Sequence, residues 1–491
     1  MENKFKELNN IGKLMILIGL LVAVPVVLIL FYPNDIQFFS SFVIPASVSV
    51  ILGLIIGIIF RKKNDEIESQ YISRNSSLTV LFAWFYGFFL GSIPFILSGQ
   101  LTYLQGLYES VSGWTTTGLS VMDVTVTSPI FLFYRSFMQF CGGLGFIMMM
   151  IMIIQGKDSM SLYNAEGHPD RLMPNIKRTA QVIFNMYSFF LIVGTGMYII
   201  LGMPAFDSML HAMSALSTGG FSTQSDSIGA YQSVSIEALT ILLMIIGTTN
   251  FAVLLLLAKR KFSQIFKVSE LRFFGVLLFI FVPIITLSLS FELYLSMGES
   301  FRHTIFNVVS ALSTTGYSTL GYEGWPAASI GMMIILMAIG GGLGSTAGGI
   351  KLTRVYLMIR VLGFNIRKRL SSRRSVNSSF YHSAQGKRLI DQDLISDTVG
   401  FIAFYLIILF TGGILITWTS GATLTQAMFE FASSLGTVGL SIGLTGPDTD
   451  GGTLIIQMLG MILGRLEIFI VLIGIYSGAS SIKYKLHEAL Q

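Results

Sequence analysis

The chain has 491 residues, of which 53% are hydrophobic and only 12% are charged, and its mean hydropathy is +0.72. Soluble globular domains carry about 25% charged residues, so this composition excludes an ordinary soluble domain and predicts an all-α integral membrane protein. The net charge of +5 accompanies no nucleic-acid-binding motif, so no nucleic-acid partner is expected.

Ten apolar stretches recur along the chain, each near the roughly 20 residues that a helix needs to cross a membrane. The first follows a basic start and could be a secretory signal. Its apolar run is too long for a signal core and a second span follows at once, so we expect both to be retained. The predicted spans lie near 14–32, 42–60, 79–98, 131–155, 180–202, 234–258, 273–296, 328–350, 398–418 and 454–479.

Basic residues predict the orientation, because Lys and Arg collect in cytoplasmic loops. With the N-terminus in the cytoplasm, all but three of the 31 Lys and Arg residues fall on that side. Arg302 lies outside, whereas Arg135 and Arg465 lie within spans. We therefore predict a multi-pass protein of the cytoplasmic (inner) cell membrane, with both termini cytoplasmic and an acidic outer face that attracts cations.

One short pattern occurs four times on the outer side, as SGWTTTGLS, SALSTGGFST, SALSTTGYST and SSLGTVGLS. The copies align without a gap: each begins with Ser, has Thr two residues before a shared glycine, and has Ser two residues after it. The shared glycines are Gly118, Gly220, Gly316 and Gly439.

Each copy lies in the same larger unit, which consists of a span, a short apolar segment, the pattern and another span. The chain therefore divides into a two-span N-terminal extension and four pseudo-repeated pore units, the third of which contains a broken helix and a basic inner loop. In chain order, the predicted boundaries are 1–78, 79–178, 179–272, 273–394 and 395–491.

Four such units can close around one central pore. Glycine accepts left-handed torsions without steric cost, and carbonyl oxygens can then replace the hydration shell of an ion. Neutral dipoles favour a monovalent cation, since carboxylates occur near only two copies, as Glu109 and Glu430. A seam of small residues between packed helices is the alternative, but four copies in register favour a filter. The predicted filter residues are Thr116, Thr117, Gly118, Thr218, Gly219, Gly220, Thr314, Thr315, Gly316, Thr437, Val438 and Gly439.

Further segments carry a family resemblance over essentially the whole chain. They are YRSFMQFCGGLGF at 134–146, GTTNF at 247–251, GGGLGSTAGGIKLTR at 340–354 and GRLEIF at 464–469. With the four filter stretches, they resemble the Trk/Ktr/HKT superfamily of potassium transporters, in particular the ten-span bacterial Trk-type subunit. The resemblance implies potassium uptake by a homodimer in the lipid membrane, with a cytoplasmic nucleotide-binding regulatory subunit. Glycine at all four filter positions favours potassium over sodium.

The eighth span has only 12 apolar residues, at 328–339, before glycines become frequent. Each glycine costs about 1 kcal/mol in a helix interior relative to alanine, so the helix should break into a loop. In the resembled family this loop is an intramembrane gate below the filter, whereas a packing seam is the plain alternative. The predicted gate residues are Gly340, Gly341, Gly342, Gly344, Ser345, Thr346, Gly348 and Gly349.

The same stretch is not a phosphate-binding loop, because Ile350 separates its last glycine from Lys351 and no soluble strand precedes it. The sequence has no nucleophile and base constellation, and its five histidines have no metal-ligand spacing. We therefore expect no enzyme activity, no organic cofactor bound by this chain, and no metal other than K+ at the filter residues.

The two arginines within spans need polar surroundings, because an unpaired charge in a membrane is costly. By resemblance, Arg465 points into the cavity below the filter and forms a barrier to cations, whereas an ion pair involving Glu467 is the alternative. Arg135 is expected to support a filter loop or to reach the outer surface. The basic run at 367–375 meets either anionic lipid or a cytoplasmic partner.

The prediction is therefore potassium uptake through a carbonyl filter with an intramembrane gate. The scarcity of buried carboxylates favours a channel-like mechanism, with Glu467 as the main exception. A symporter that couples K+ to H+ or Na+ remains an alternative, since it needs titratable groups near broken helices. A membrane scaffold without transport is a further alternative.

Overall fold

The computed structural model describes residues 8–60, 69–153, 175–293, 295–370 and 380–476, and these residues are mainly helical. In the first half of the chain the α-helices are α1 (Asn10–Ala23), α2 (Phe39–Ile59), α3 (Ser69–Leu97), α4 (Tyr103–Trp114), α5 (Pro129–Leu144), α6 (Phe146–Ile153), α7 (Ile176–Ile200), α8 (Ala205–Leu216), α9 (Val234–Thr248) and α10 (Phe251–Ala258). In the second half they are α11 (Phe262–Ile265), α12 (Ser269–Glu292), α13 (Met297–Ser313), α14 (Ala327–Ile339), α15 (Leu352–Leu370), α16 (Gln392–Ser420), α17 (Leu424–Leu435), α18 (Gly451–Arg465) and α19 (Ile468–Tyr476).

Short elements complete the described chain. Three 3-10 helices span Val24–Leu30, Pro33–Phe38 and Ser227–Tyr231. Two antiparallel strands, β1 (Phe380–Ser383) and β2 (Gly386–Leu389), form a hairpin. The basic run at 367–375 begins on α15, and its residues 371–375 lie outside the described residues.

Six helical stretches in the described ranges are long and apolar enough to cross a membrane, and they overlap six of the ten predicted spans. Large apolar side chains on them face outward, including Ile192 and Phe279, which suits contact with lipid. The stretches are Asn10–Leu30, Pro33–Ile59, Leu78–Leu97, Ile176–Ile200, Ser269–Glu292 and Gln392–Ser420.

The other four predicted spans are interrupted. The predicted spans at 234–258 and 454–479 each contain a bent pair of helices, since α9 and α10 meet at 111° and α18 and α19 meet at 98°. The span at 131–155 divides at Gly145, whose φ is +83°. The eighth predicted span breaks as its glycines indicated, since α14 ends at Ile339 and α15 begins only at Leu352.

Four short helices, α4, α8, α13 and α17, precede the four filter stretches. Three of them have 12 residues, which gives about 18 Å at 1.5 Å per residue, less than the roughly 30 Å hydrocarbon layer. Capping boxes fix the first residue of α4, α13 and α17, with Thr102, Ser296 and Thr423 as the capping residues. Buried residues dominate the C-terminal half of each helix, so each one ends inside the protein.

The N-terminal extension packs against the first pore unit. Helices α1 and α2 approach so closely that a Cβ added at Gly12 would lie 2.5 Å from the Gly53 carbonyl oxygen. Asp35, from the 3-10 segment between them, accepts a hydrogen bond from the Ile130 N–H at the start of α5 (2.9 Å). This carboxylate satisfies an N-terminal donor that the helix leaves without a partner.

Candidate functional site

The four filter stretches follow the same backbone path. Two residues before each shared glycine, a threonine has a left-handed φ of +48° to +57°, and each glycine has a φ of +72° to +100°. Positive φ is a genuine outlier for a β-branched residue, so its occurrence at four equivalent positions indicates a common constraint. The threonines are Thr116, Thr218, Thr314 and Thr437.

The four stretches also form a closed ring, which joins them in chain order. A Cβ added to any of the shared glycines would collide with a carbonyl oxygen of the next stretch, so only glycine fits. The pairs are Gly118 with Gly219 O, Gly220 with Thr315 O, Gly316 with Val438 O, and Gly439 with Thr117 O. The ring therefore alternates four glycines with four main-chain carbonyl groups, and the fourth stretch closes on the first.

The two carboxylates near the filter stretches do not belong to this ring. Glu109 lies behind the first stretch, where it pairs with Arg135 (Nε to Oε1, 2.5 Å) and accepts a hydrogen bond from Ser120 (3.0 Å). Glu430 lies behind the fourth stretch and accepts hydrogen bonds there from side-chain and backbone donors, which include Ser441. Both carboxylates are fully buried, so they hold loops in place.

Arg135 supports filter stretches and does not reach the surface, since only 2% of the residue is exposed. Besides Glu109, its guanidinium donates to Ser120 (2.8 Å) and lies 4.1 Å from the centre of the Phe221 ring. Ser120 belongs to the first stretch and Phe221 to the second. Arg135 thus links two neighbouring stretches. This contact agrees with the expectation that Arg135 supports a filter loop.

Gln139 is a functional candidate that the sequence did not single out. It lies one turn after Arg135 on α5, donates to the Gly219 carbonyl (2.5 Å) and accepts from the Phe221 N–H (3.1 Å). It therefore holds both sides of Gly220 in the second stretch. A polar residue in the middle of an apolar span was the available signal, because such a side chain needs a buried partner.

The loop at 340–349 lies directly against the left-handed threonines of the ring. Its Thr346 hydroxyl lies 3.2 Å from that of Thr218, and its Gly348 N–H donates to the Thr314 hydroxyl (3.0 Å). A Cβ on Gly348 would also collide with the Thr437 hydroxyl. The loop thus touches three of the four stretches on the side opposite to their outer ends.

The bend between α9 and α10 holds this loop. The Gly342 N–H donates to the Thr248 carbonyl (3.0 Å), and the Thr346 hydroxyl donates to the Gly247 carbonyl (2.9 Å). In the other direction, the Phe251 N–H donates to the Gly344 carbonyl (3.2 Å). The segment GTTNF at 247–251 therefore forms the seat of the loop.

Arg465 lines a cavity next to this loop. Its guanidinium donates to the Gly142 carbonyl (2.6 Å), to the Gly143 carbonyl (3.2 Å) and to the Thr346 carbonyl. It therefore ties the loop to the break after α5. Glu467, the ion-pair partner in the alternative interpretation, pairs with Arg354 (2.8 Å).

The chain is similar to known transport proteins over almost its whole length. The family model TrkH, described as cation transport protein, matches residues 48–481. The Trk system potassium uptake protein TrkG of Escherichia coli K12 is 30% identical over 488 residues, with 95% of this chain and 96% of that protein covered. The Trk system potassium uptake protein TrkH of Halomonas elongata is 26% identical over 487 residues, with 95% and 97% covered.

A solved structure also matches. The crystal structure of the potassium transporter TrkH from Vibrio parahaemolyticus has a TM-score of 0.80 and 26% identity to this chain, with 95% of this chain and 98% of that chain covered. The residues matched by the family model, 48–481, include the four filter stretches and the loop at 340–349. The chain therefore belongs to the TrkH family of cation transport proteins, which are membrane transporters and not enzymes.

Proposed function

We propose that this protein takes up potassium across the cytoplasmic membrane, through a selectivity filter formed by the four stretches. The observation that carries the proposal is the closed ring of glycines and carbonyl groups, in which the fourth stretch meets the first. The names of the relatives as potassium uptake proteins and as a potassium transporter support the same ion. Carbonyl dipoles supply the oxygen ligands that replace the hydration shell of K+.

The proposed K+ ligands are backbone carbonyls of the twelve predicted filter residues, foremost those of Thr117, Gly219, Thr315 and Val438. Below them, the hydroxyls of Thr116 and Thr437 are buried and have no hydrogen-bond partner among the described residues. A bound cation would satisfy such oxygens. The ring carries no carboxylate, which favours a monovalent ion.

The loop at 340–349 is the proposed gate. It contacts the second, third and fourth stretches, so it obstructs the path below the ring. We propose that Arg465 has two effects: its charge repels cations in the cavity, and its hydrogen bonds hold the loop closed. Opening requires the loop to leave both the threonines and Arg465.

The remaining features of the proposal follow the family resemblance. They are ten spans with four pseudo-repeated units, a homodimer in the lipid membrane, cytoplasmic termini and a cytoplasmic nucleotide-binding regulatory subunit. The hairpin of β1 and β2 is a candidate route for regulation, since the His382 N–H donates to the Ser269 hydroxyl (3.1 Å). The neighbouring Glu270 accepts from the Leu343 N–H of the proposed gate (3.2 Å).

A symporter is the second candidate, because Lys351, Arg354 and Glu467 lie at broken helices near the gate. Charged groups at such breaks can bind or release a coupling ion. In a channel, K+ flux follows the K+ gradient alone. In a symporter it also follows an imposed gradient of H+ or Na+.

The test is K+ and Na+ flux into proteoliposomes at imposed voltages and pH gradients. The comparison uses wild-type protein, Gly316→Ser, and Gly331→Ser as the matched control, since Gly331 has open space around its Cα. We expect K+ flux that follows its own gradient, with selectivity lost only in Gly316→Ser. Coupling to H+ or Na+ would identify a symporter, and no flux from folded protein would refute transport by this chain alone.

A further inference from the structure

A buried polar side chain lies nine residues before each of the four shared glycines. The four positions are equivalent on the short helices, yet their side chains differ in charge and shape. All four are fully buried, with no measurable exposure. They are Glu109, His211, Asn307 and Glu430.

Each of these side chains bonds to a hydroxyl of its own filter stretch, two or three residues after the glycine. The partner hydroxyl lies two residues after the glycine in the first, second and fourth stretches and three residues after it in the third. The bonds are Ser120 Oγ to Glu109 Oε1 at 3.0 Å, Ser222 Oγ with His211 Nε2 at 3.0 Å, Asn307 Nδ2 to Thr319 Oγ1 at 3.3 Å, and Ser441 Oγ to Glu430 Oε1 at 2.5 Å.

The hydroxyl also fixes the backbone beyond the glycine. In the first, second and fourth stretches the serine accepts a hydrogen bond from the N–H two residues later, at 3.1, 3.0 and 3.0 Å. Each serine thus connects the buried side chain to the outer turn of the filter. Since Glu, His and Asn all form this bond, their common property is hydrogen bonding and not charge.

We infer that these four residues, the outer clamps, are positioning residues that determine ion selectivity, and this inference rests on the proposed function. Selectivity depends on the number and the placement of the carbonyl groups around the ion. Each clamp holds its stretch at a point two or three residues from the glycine of the ring. Release of a clamp lets the outer end of that stretch move, so the carbonyl groups no longer distinguish K+ from Na+ as well.

Glu430 offers the sharpest test, because one carboxylate oxygen accepts all the hydrogen bonds that its side chain receives from described residues. Oε1 accepts from Ser441 Oγ, Leu444 N and Thr445, whereas Oε2 has no partner among the described residues. Glu430→Gln keeps an oxygen at this position, whereas Glu430→Met of similar shape removes it. Both variants lose the charge, so their difference isolates the hydrogen bonds.

The measurement is the K+ to Na+ permeability ratio of full-length protein in proteoliposomes. We expect the ratio to fall about fivefold or more in Glu430→Met, since a hydrogen bond is typically worth a factor of this order. Glu430→Gln should stay within about twofold of wild type on the same scale. Tyr198→Phe is the control, because it removes a buried hydroxyl bonded to Thr240 outside the filter stretches.

If Glu430→Met does not fold, Ser222→Ala removes the hydroxyl that bonds to the clamp residue His211. We expect the K+ to Na+ permeability ratio to fall in this variant as well. If wild-type protein prefers K+ and the folded clamp variants have the same K+ to Na+ permeability ratio, the role of the outer clamps is overturned but the proposed filter is not. A wild type with no preference for K+ would overturn both the clamps and the proposed filter. Equal losses in Glu430→Met and Glu430→Gln would also overturn the inference, since charge would then be the cause.

Discussion

The hydroxyl of Thr346 is the clearest point at which to loosen the proposed gate. It donates to the carbonyl oxygens of Gly247 (2.9 Å) and Leu216 (3.1 Å) and lies 3.2 Å from the Thr218 hydroxyl. Thr346→Val keeps the shape of the side chain and removes these hydrogen bonds. We expect more K+ flux, because the bonds hold the loop against the filter only while the gate is closed.

The size of the effect follows from the number of bonds lost. The Thr346 hydroxyl shares its single proton between two carbonyl oxygens, and its oxygen can accept a second bond from Thr218. It therefore makes about two hydrogen bonds, each with a net value of about 0.5–1.5 kcal/mol. The closed state should therefore lose about 1–3 kcal/mol relative to the open state. At 1.4 kcal/mol per factor of ten, the closed-to-open ratio falls roughly 5- to 100-fold.

The assay is K+ flux from proteoliposomes that contain this chain without a regulatory subunit. Thr286→Val is the matched control, because the Thr286 hydroxyl is buried without a hydrogen-bond partner among the described residues. Thr346→Ser keeps the hydroxyl and should stay near wild type. Wild-type flux from folded Thr346→Val would refute the reasoning, and so would an equal rise in Thr286→Val.

Three further variants test the surroundings of the filter. Glu109→Gln should destabilise the protein by about 3–5 kcal/mol in a thermal melt, because it leaves the buried Arg135 without its charged partner. The double variant Glu109→Gln with Arg135→Met should recover part of this loss, and an unchanged melting temperature in Glu109→Gln would contradict the pairing. Gln139→Met should lower the K+ to Na+ permeability ratio several-fold, since Gly219 loses its side-chain donor, and an unchanged ratio would count against this role. Arg465→Gln should raise K+ flux at least several-fold, because it removes the positive charge and some of the hydrogen bonds that hold the loop at 340–349. Reduced flux would contradict the proposal that Arg465 is a barrier to cations.

Sequence reasoning located the four repeated stretches because their geometry restricts the residue type. A residue that has a positive φ and packs against a carbonyl oxygen cannot carry a side chain, so glycine recurs at this position in all four copies. The loop after α14 was predictable for a similar reason, since its glycines destabilise a helix. In both places the backbone demands a residue that is visible in the sequence.

The outer clamps show where the same approach fails. Each clamp residue lies nine positions before its shared glycine in the sequence. Because Glu, His and Asn can all bond to a hydroxyl, residue identity is not conserved among the four copies, and a search for repeated residues does not find them. Gln139 and Gly219 are 80 residues apart in the chain. Contacts of this kind depend on how the units pack, which local spacing does not determine.

The bends after α9 and α18 were missed because the residues between the paired helices, 249–250 and 466–467, include no glycine or proline. Asn250 caps α10 by accepting from the Ala252 N–H (2.7 Å), and Glu467 takes a left-handed φ of +57°. The residues on either side are mainly apolar, so composition alone does not reveal either bend. Their cost is offset by contacts elsewhere in the fold, such as the pair of Glu467 with Arg354.

The breaks in the four interrupted spans explain how the proposed gate is held. A helix end leaves carbonyl groups without intrahelical partners, and such groups need donors at membrane depth. The break after α5 supplies the Gly142 and Gly143 carbonyls, which accept from Arg465. The end of α9 supplies the Gly247 and Thr248 carbonyls, which accept from the loop at 340–349.

The loop and Arg465 are therefore the donors for carbonyl groups that the neighbouring breaks expose. Movement of the loop alone would leave the Gly247 and Thr248 carbonyls buried and without these donors, at a cost of about 1–3 kcal/mol for each. Opening must accordingly bring water to them as the loop leaves. When the loop moves, water therefore enters the cavity and the path for the ion opens in the same step. The hydration of the pathway thus depends on the position of this one loop.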